Sequence, residues 1–95
     1  MDQKIQLIHP AGKKAVRIDK EKYDALKNSL MKCLKEKGES TYGEILESIT
    51  EDFIKNKIKF EGSLEWYLEW VKLDLEAKKE IKRTGGKPPI KFIIT

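Results

Sequence analysis

A chain of 95 residues can bury one hydrophobic core but not two. Charged residues make up 38% of it against roughly 25% in an average protein, so that core is wrapped in a heavily solvated surface. No apolar run approaches the roughly 20 residues of a membrane span, residues 1–4 do not open a signal peptide, and the lone Cys33 cannot form an internal disulfide, which fits a reducing cytoplasm.

The first predicted element is a β-hairpin. Residues 4–8, KIQLI, and 15–18, AVRI, are short β-branched and aliphatic runs around the turn HPAGKK, with Pro10 and Gly12 at its tip. Such a hairpin is marginal alone in water and needs a surface to cover. Asp19 then opens a helix over 20–37: its carboxylate is placed to cap the first turn, Tyr23, Leu26, Leu30, Cys33 and Leu34 keep helical spacing, and Gly38 is a natural stop. Thr41 with Glu44 forms a capping box for a second helix over 42–55, whose apolar stripe is Tyr42, Ile45, Leu46, Ile49 and Phe53. Its stop between residues 55 and 59 is only weakly signalled.

The third helix, expected over 63–79 with Ser63 as its cap, organises the rest. Leu64, Tyr67, Leu68, Val71 and Leu75 form one apolar stripe, and Trp66, Trp70, Leu73 and Ala77 form a second, nearly opposite. Between them runs a ridge of Glu65, Glu69, Lys72 and Glu76, read as a solvated face. A helix apolar on two sides has to be sandwiched between layers. After Lys79 the period becomes alternating: Ile81 starts a strand, Thr84-Gly85-Gly86-Lys87-Pro88-Pro89 forms a loop, and Ile90, Phe92 and Ile94 line one face of a return strand.

Three helices followed by a hairpin is the order of a winged-helix domain, and the segment Gly38-Glu39-Ser40-Thr41-Tyr42-Gly43-Glu44-Ile45 resembles the short strand and second-helix start of that superfamily. More narrowly, Gly62-Ser63, Trp66-Tyr67 and Val71-Lys72-Leu73-Asp74-Leu75-Glu76-Ala77 resemble a family of small uncharacterised bacterial winged-helix proteins, over the whole chain. The expected fold is therefore α+β: one winged-helix domain over 1–95, with an N-terminal hairpin over 1–18, three helices over 19–79 and a wing over 80–95. The resemblance implies no activity of its own; the wider superfamily mostly binds DNA, which suggests a part in transcription regulation.

The charge distribution sets the candidate site. Residues 78–95 hold six cations and one acid, whereas the remaining residues hold 14 cations and 15 acids, so the whole net charge of +4 originates at one end. Lys78, Lys79, Lys82, Arg83, Lys87 and Lys91 are the candidate phosphate contacts, with Arg83 able to enter a minor groove. The same lysines and prolines also suit a sheet edge kept soluble by charge. The carboxylates of the third-helix ridge repel phosphate, which argues against major-groove reading by that helix.

No chemistry of catalysis is spelled out. His9 and Cys33 are single and stand apart, Cys33 lies on an apolar stripe as a buried structural thiol, Glu51 and Asp52 read as surface charge, and Gly85-Gly86 is not followed by a helix as a phosphate loop would be. Neither an enzyme, a metal, a cofactor nor a small-molecule ligand is expected. The first expectation is weak nucleic-acid binding through the wing; the alternative is a homodimer or a protein partner docked on Trp66, Trp70 and Leu73.

Overall fold

The computed structural model describes residues 3–84 and 86–95. Met1, Asp2 and Gly85, the last within the expected wing loop, lie outside the described residues. Strands β1 (Lys4–Gln6) and β2 (Arg17–Asp19) pair antiparallel, with Ile5 opposite Ile18 and Lys4 opposite Asp19. The ladder is shorter than the apolar runs that predict it. Leu7 still donates its N–H to the Val16 carbonyl at 3.0 Å, but the Ile8 N–H turns away and bonds the Asp74 carboxylate at 2.9 Å. A contact across the molecule thus ends the strand.

Helix α1 (Lys20–Lys37) buries Tyr23, Leu26, Leu30, Cys33 and Leu34, the expected stripe, and closes on Gly38 at φ +73°, a conformation that favours glycine. Asp19 stands at the N-cap, yet its side chain does not cap the helix as expected. The β1–β2 register brings Lys4 Nζ to 2.6 Å from the Asp19 carboxylate instead, and that bond holds the Asp19 carboxyl below its ordinary pKa. Strand β3 (Ser40–Thr41) leads into α2 (Tyr42–Lys55), where the capping box forms as read: Thr41 Oγ1 accepts from the Glu44 N–H at 3.2 Å and Glu44 Oε1 from the Thr41 N–H at 2.9 Å. Ser63 likewise caps α3 (Leu64–Ala77) through the Trp66 N–H.

No glycine marks the ends of α2 and α3. Lys57 at φ +55° and Lys79 at φ +61° occupy the left-handed position that glycine usually takes. Each is followed by the full closing pair of bonds: Lys57 N–H to Ile54 and Ile58 N–H to Phe53, then Lys79 N–H to Glu76 and Glu80 N–H to Leu75. Helix α3 accordingly stops at Ala77, two residues short of the expected end. Strands β4 (Ile81–Thr84) and β5 (Lys91–Ile94) form the C-terminal hairpin, and β3 adds to the far side of β5, giving the order β3-β5-β4.

The result is a small α+β domain of three helices and two antiparallel sheets around one core. Leu26 and Leu30 of α1, Ile45 and Ile49 of α2, Leu68, Val71 and Leu75 of α3, and Ile81 and Phe92 of the hairpin are all buried in it. Cys33 is a buried free thiol in the same core. Among the described residues no helix is long and apolar enough to cross a membrane.

Candidate nucleic-acid interface

Alternation along β4 and β5 sorts the C-terminal cations. Ile81 and Phe92 face the core, and Arg83, directly opposite Phe92, shares their side of the sheet. Its guanidinium lies 5.6 Å from the Phe92 ring centre, and its Nε donates to Glu76 Oε1 of α3 at 2.6 Å. That bond raises the Arg83 pKa further. Arg83, expected to reach a minor groove, is therefore a strap between hairpin and helix. Lys78 is also engaged: Nζ lies 2.9 Å from the Asp74 carboxylate and 3.2 Å from the Tyr23 hydroxyl.

The other four cations stand differently. Lys79, Lys82 and Lys87 are exposed and Lys91 is partly so, and among the described residues none of the four makes an ion pair. Lys82 faces outward beside Ile93, and Lys91 lies between Thr84 and Thr41 on the same outer face. Glu80, the one acid in this stretch, is taken up by Lys27 of α1 at 3.2 Å.

The charged ridge of α3 is only partly the solvated face its sequence suggests: Glu65 and Glu69 are exposed, Lys72 is not. Lys72 is only 4% exposed. Its Nζ sits 4.8 Å from the Phe92 ring centre and 5.9 Å from that of Tyr42, between Glu69 at 3.2 Å and Glu76 at 3.6 Å. The three-stranded sheet, by bringing Phe92 over the helix, covers Lys72 and part of Glu76, while Glu65 and Glu69 stay exposed. Glu76 Oε2, buried here, accepts no hydrogen bond. Burial first, then the charges of Glu69 and Glu65, push the nearby Tyr42 hydroxyl up to about 12.

The opposite flank of α3 holds a group that pattern reading passes over. Asp74 is fully buried and accepts three bonds: from Tyr23 Oη at 2.6 Å, from Lys78 Nζ at 2.9 Å and from the Ile8 amide at 2.9 Å. One carboxylate therefore fastens α1, α3 and the N-terminal segment together, and its buried charge is offset by a cation and two further donors. Burial and then the bond to Asp74 push Tyr23 up to about 12. Burial works against the Lys78 ammonium, but Asp74 and the Tyr23 hydroxyl outweigh it and hold the Lys78 pKa above the ordinary lysine value. The Asp74–Lys78 spacing is a signal sequence could offer; Tyr23 and Ile8 are visible only in the fold.

The Trp66, Trp70, Leu73 and Ala77 stripe is partly open. Trp66 is 47% exposed, while Trp70, Leu73 and Ala77 are half-buried. The N-terminal segment covers one margin, where His9 meets the edge of Trp70 at 6.4 Å between ring centres. Asp52, read as surface charge, instead braces α1 against α2 by accepting from Ser29 Oγ at 2.8 Å, a bond that lowers its pKa.

A cleft of about 460 Å³ between the start of α1 and the α2–α3 connection is lined by Asp19, Glu21, Asp24 and Glu61 against Lys20, Lys22 and Lys59, so it has no strong preference for either sign of charge. Among the described residues no group of histidine, cysteine and acidic side chains could hold a metal ion. Compared with known families, residues 4–92 match the model of a family of unknown function (DUF6958). No curated protein and no solved structure matches the chain.

Proposed function

We propose that this chain, which belongs to the family of unknown function DUF6958, is a non-enzymatic winged-helix domain that binds DNA weakly through phosphate contacts of its basic wing. The element order supports the fold reading: α1, the short β3, α2, α3 and then the β4–β5 hairpin, with β3 paired onto β5. The observation that carries the functional reading is the set of four cations, Lys79, Lys82, Lys87 and Lys91, on and beside that hairpin, which make no ion pair among the described residues. Helix α3 contributes no comparable surface, because Lys72 is buried and the exposed residues are Glu65, Trp66 and Glu69. Binding of this kind is largely indifferent to sequence, since phosphate contacts position a protein without reading bases.

Neutralising phosphates releases condensed counterions, and affinity falls with salt by a slope of about −0.9 per phosphate. Four contacts give a loss of roughly 150-fold between 50 and 200 mM salt. Fluorescence anisotropy of a labelled random duplex measures this directly. Lys82→Glu with Lys87→Glu is the informative variant, since both side chains are exposed and hold nothing in the fold, whereas changing Arg83 also releases Glu76. The double variant is expected to lose binding at 50 mM salt while keeping its unfolding midpoint. Absence of wild-type binding at about 100 μM protein, or equal binding by the variant, overturns the reading.

A further inference from the structure

We infer that the end of α2 and the turn after it, residues 54–60 (IKNKIKF), bind the surface of an anionic lipid bilayer. This does not rest on the nucleic-acid reading. Residues 54–59 are exposed without a break, and they include Ile54 at 73% and Ile58 at 40% exposure, neither of which belongs to the core. The turn is nevertheless held in place. Phe53 and Phe60 on either side of it stack at 5.9 Å between ring centres, the Ile58 N–H bonds the Phe53 carbonyl at 2.8 Å, and the Asn56 side chain donates to Asp52 at 2.9 Å. The fold therefore presents two aliphatic side chains to water on a fixed projection.

The charges around them select a lipid surface. Lys55, Lys57 and Lys59 are interleaved with the isoleucines, all three are exposed, and none makes an ion pair among the described residues. No acid stands between Asp52 and Glu61. Of the flanking acids, Asp52 is taken up by Ser29, Lys32 and Asn56, Glu51 lines the groove against α1, and Glu61 lines the cleft at the start of that helix. Lys57 stands at φ +55°, a conformation that favours glycine, so a cationic side chain is kept where the backbone is better served without one. A bilayer uses both parts of this surface: the isoleucines enter the boundary between headgroups and acyl chains, and the ammonium groups meet anionic headgroups. A nucleic-acid backbone would engage the lysines and leave the isoleucines in water. The contact is shallow and reversible, comparable in strength with a single acyl anchor.

Co-sedimentation of the full chain with lipid vesicles, without nucleic acid, tests this. Wild type is expected to pellet with vesicles of equal parts phosphatidylcholine and phosphatidylglycerol at about 1 mM lipid, and to stay in solution with phosphatidylcholine alone. Ile54→Ser, at a site outside the core, is expected to weaken vesicle binding about 10-fold with an unchanged unfolding midpoint. Lys57→Gly is expected to weaken it about 5-fold, the effect of one lysine at an anionic surface, while raising the midpoint because the left-handed position is relieved. Wild type that stays in solution with the anionic vesicles, or pellets equally with the neutral ones, overturns the inference. Vesicle binding that is unchanged in Ile54→Ser yet lost in the variant Lys82→Glu with Lys87→Glu assigns the lipid contact to the wing, and overturns it too.

Discussion

Asp74 and Glu76 stand two residues apart on α3, and each fastens one hairpin to it. Asp74 holds the N-terminal side with three donors within 3 Å, one of them the backbone of Ile8. Glu76 holds the C-terminal side with one short bond to Arg83, while its second oxygen has only Lys72 at 3.6 Å and no hydrogen bond. A buried acceptor left without a hydrogen bond costs about 1–3 kcal/mol. The two clasps thus use the same functional group with unequal completeness, and the weaker one holds the hairpin with the free cations. The proposed phosphate contacts would place ligand binding on the looser clasp, in keeping with the rule that elements meeting a ligand are drawn from the less stable parts of a fold.

The sharpest way to break the comparison is to remove Asp74. Asp74→Ala strands the Tyr23 hydroxyl, the Ile8 amide and the Lys78 ammonium, and is expected to cost about 3–5 kcal/mol in urea unfolding, as removal of one partner from a buried charge network does. A cost below about 1 kcal/mol would mean that the N-terminal clasp is no tighter than the other.

Alkaline unfolding separates the flanks by their tyrosines. Tyr23 and Tyr42 are each raised to about 12, both mainly by burial, Tyr23 next by its bond to Asp74 and Tyr42 by Glu69 and Glu65. A folded-state pKa above the unfolded 10.0 means that the stabilisation is complete below pH 10 and is lost as pH rises through about 12. For buried Tyr23 the loss is on the order of 2 kcal/mol. Tyr23→Phe, followed by thermal unfolding from pH 9 to 12, is expected to flatten the decline more than Tyr42→Phe; the reverse order would reverse the comparison.

The smallest effect expected is at Glu76. Glu76→Gln keeps the shape, weakens the bond to Arg83 and leaves Lys72 with Glu69, for about 1–2 kcal/mol after allowing for the exposure of Arg83. Amide exchange of β4 and β5 should quicken while that of Ile8 stays unchanged. Equal quickening at both hairpins would show the clasps to be coupled.

Elements set by neighbours in sequence were legible. The caps at Thr41 and Ser63, the glycine stop of α1 and the switch of period after Lys79 each depend on a few adjacent residues, and the helices fall where those signals put them. What escaped reading depends on contacts between distant segments. Asp19 is a fitting cap until the strand register brings Lys4 to it. Lys72 looks like a surface cation until Phe92, twenty positions later, lies over the helix. The candidate site divides in the same way: six cations are countable in the sequence and the Asp74–Lys78 spacing is local, but only the packed sheet shows that Arg83 is held by Glu76.

The strand order β3-β5-β4 also constrains how the chain is made. β5 comes last of the described strands from the ribosome, yet it is the middle strand, and β3 and β4 pair only with it. Until it emerges, the two earlier strands have no ladder to join, and the side of α3 that holds Lys72 has no Phe92 above it. The helices and the first hairpin have their partners without β5, whereas the three-stranded sheet closes only once β5 is in place. A released chain cut short before residue 91 would carry two unpaired strand edges, the form that chaperones bind and proteases cut.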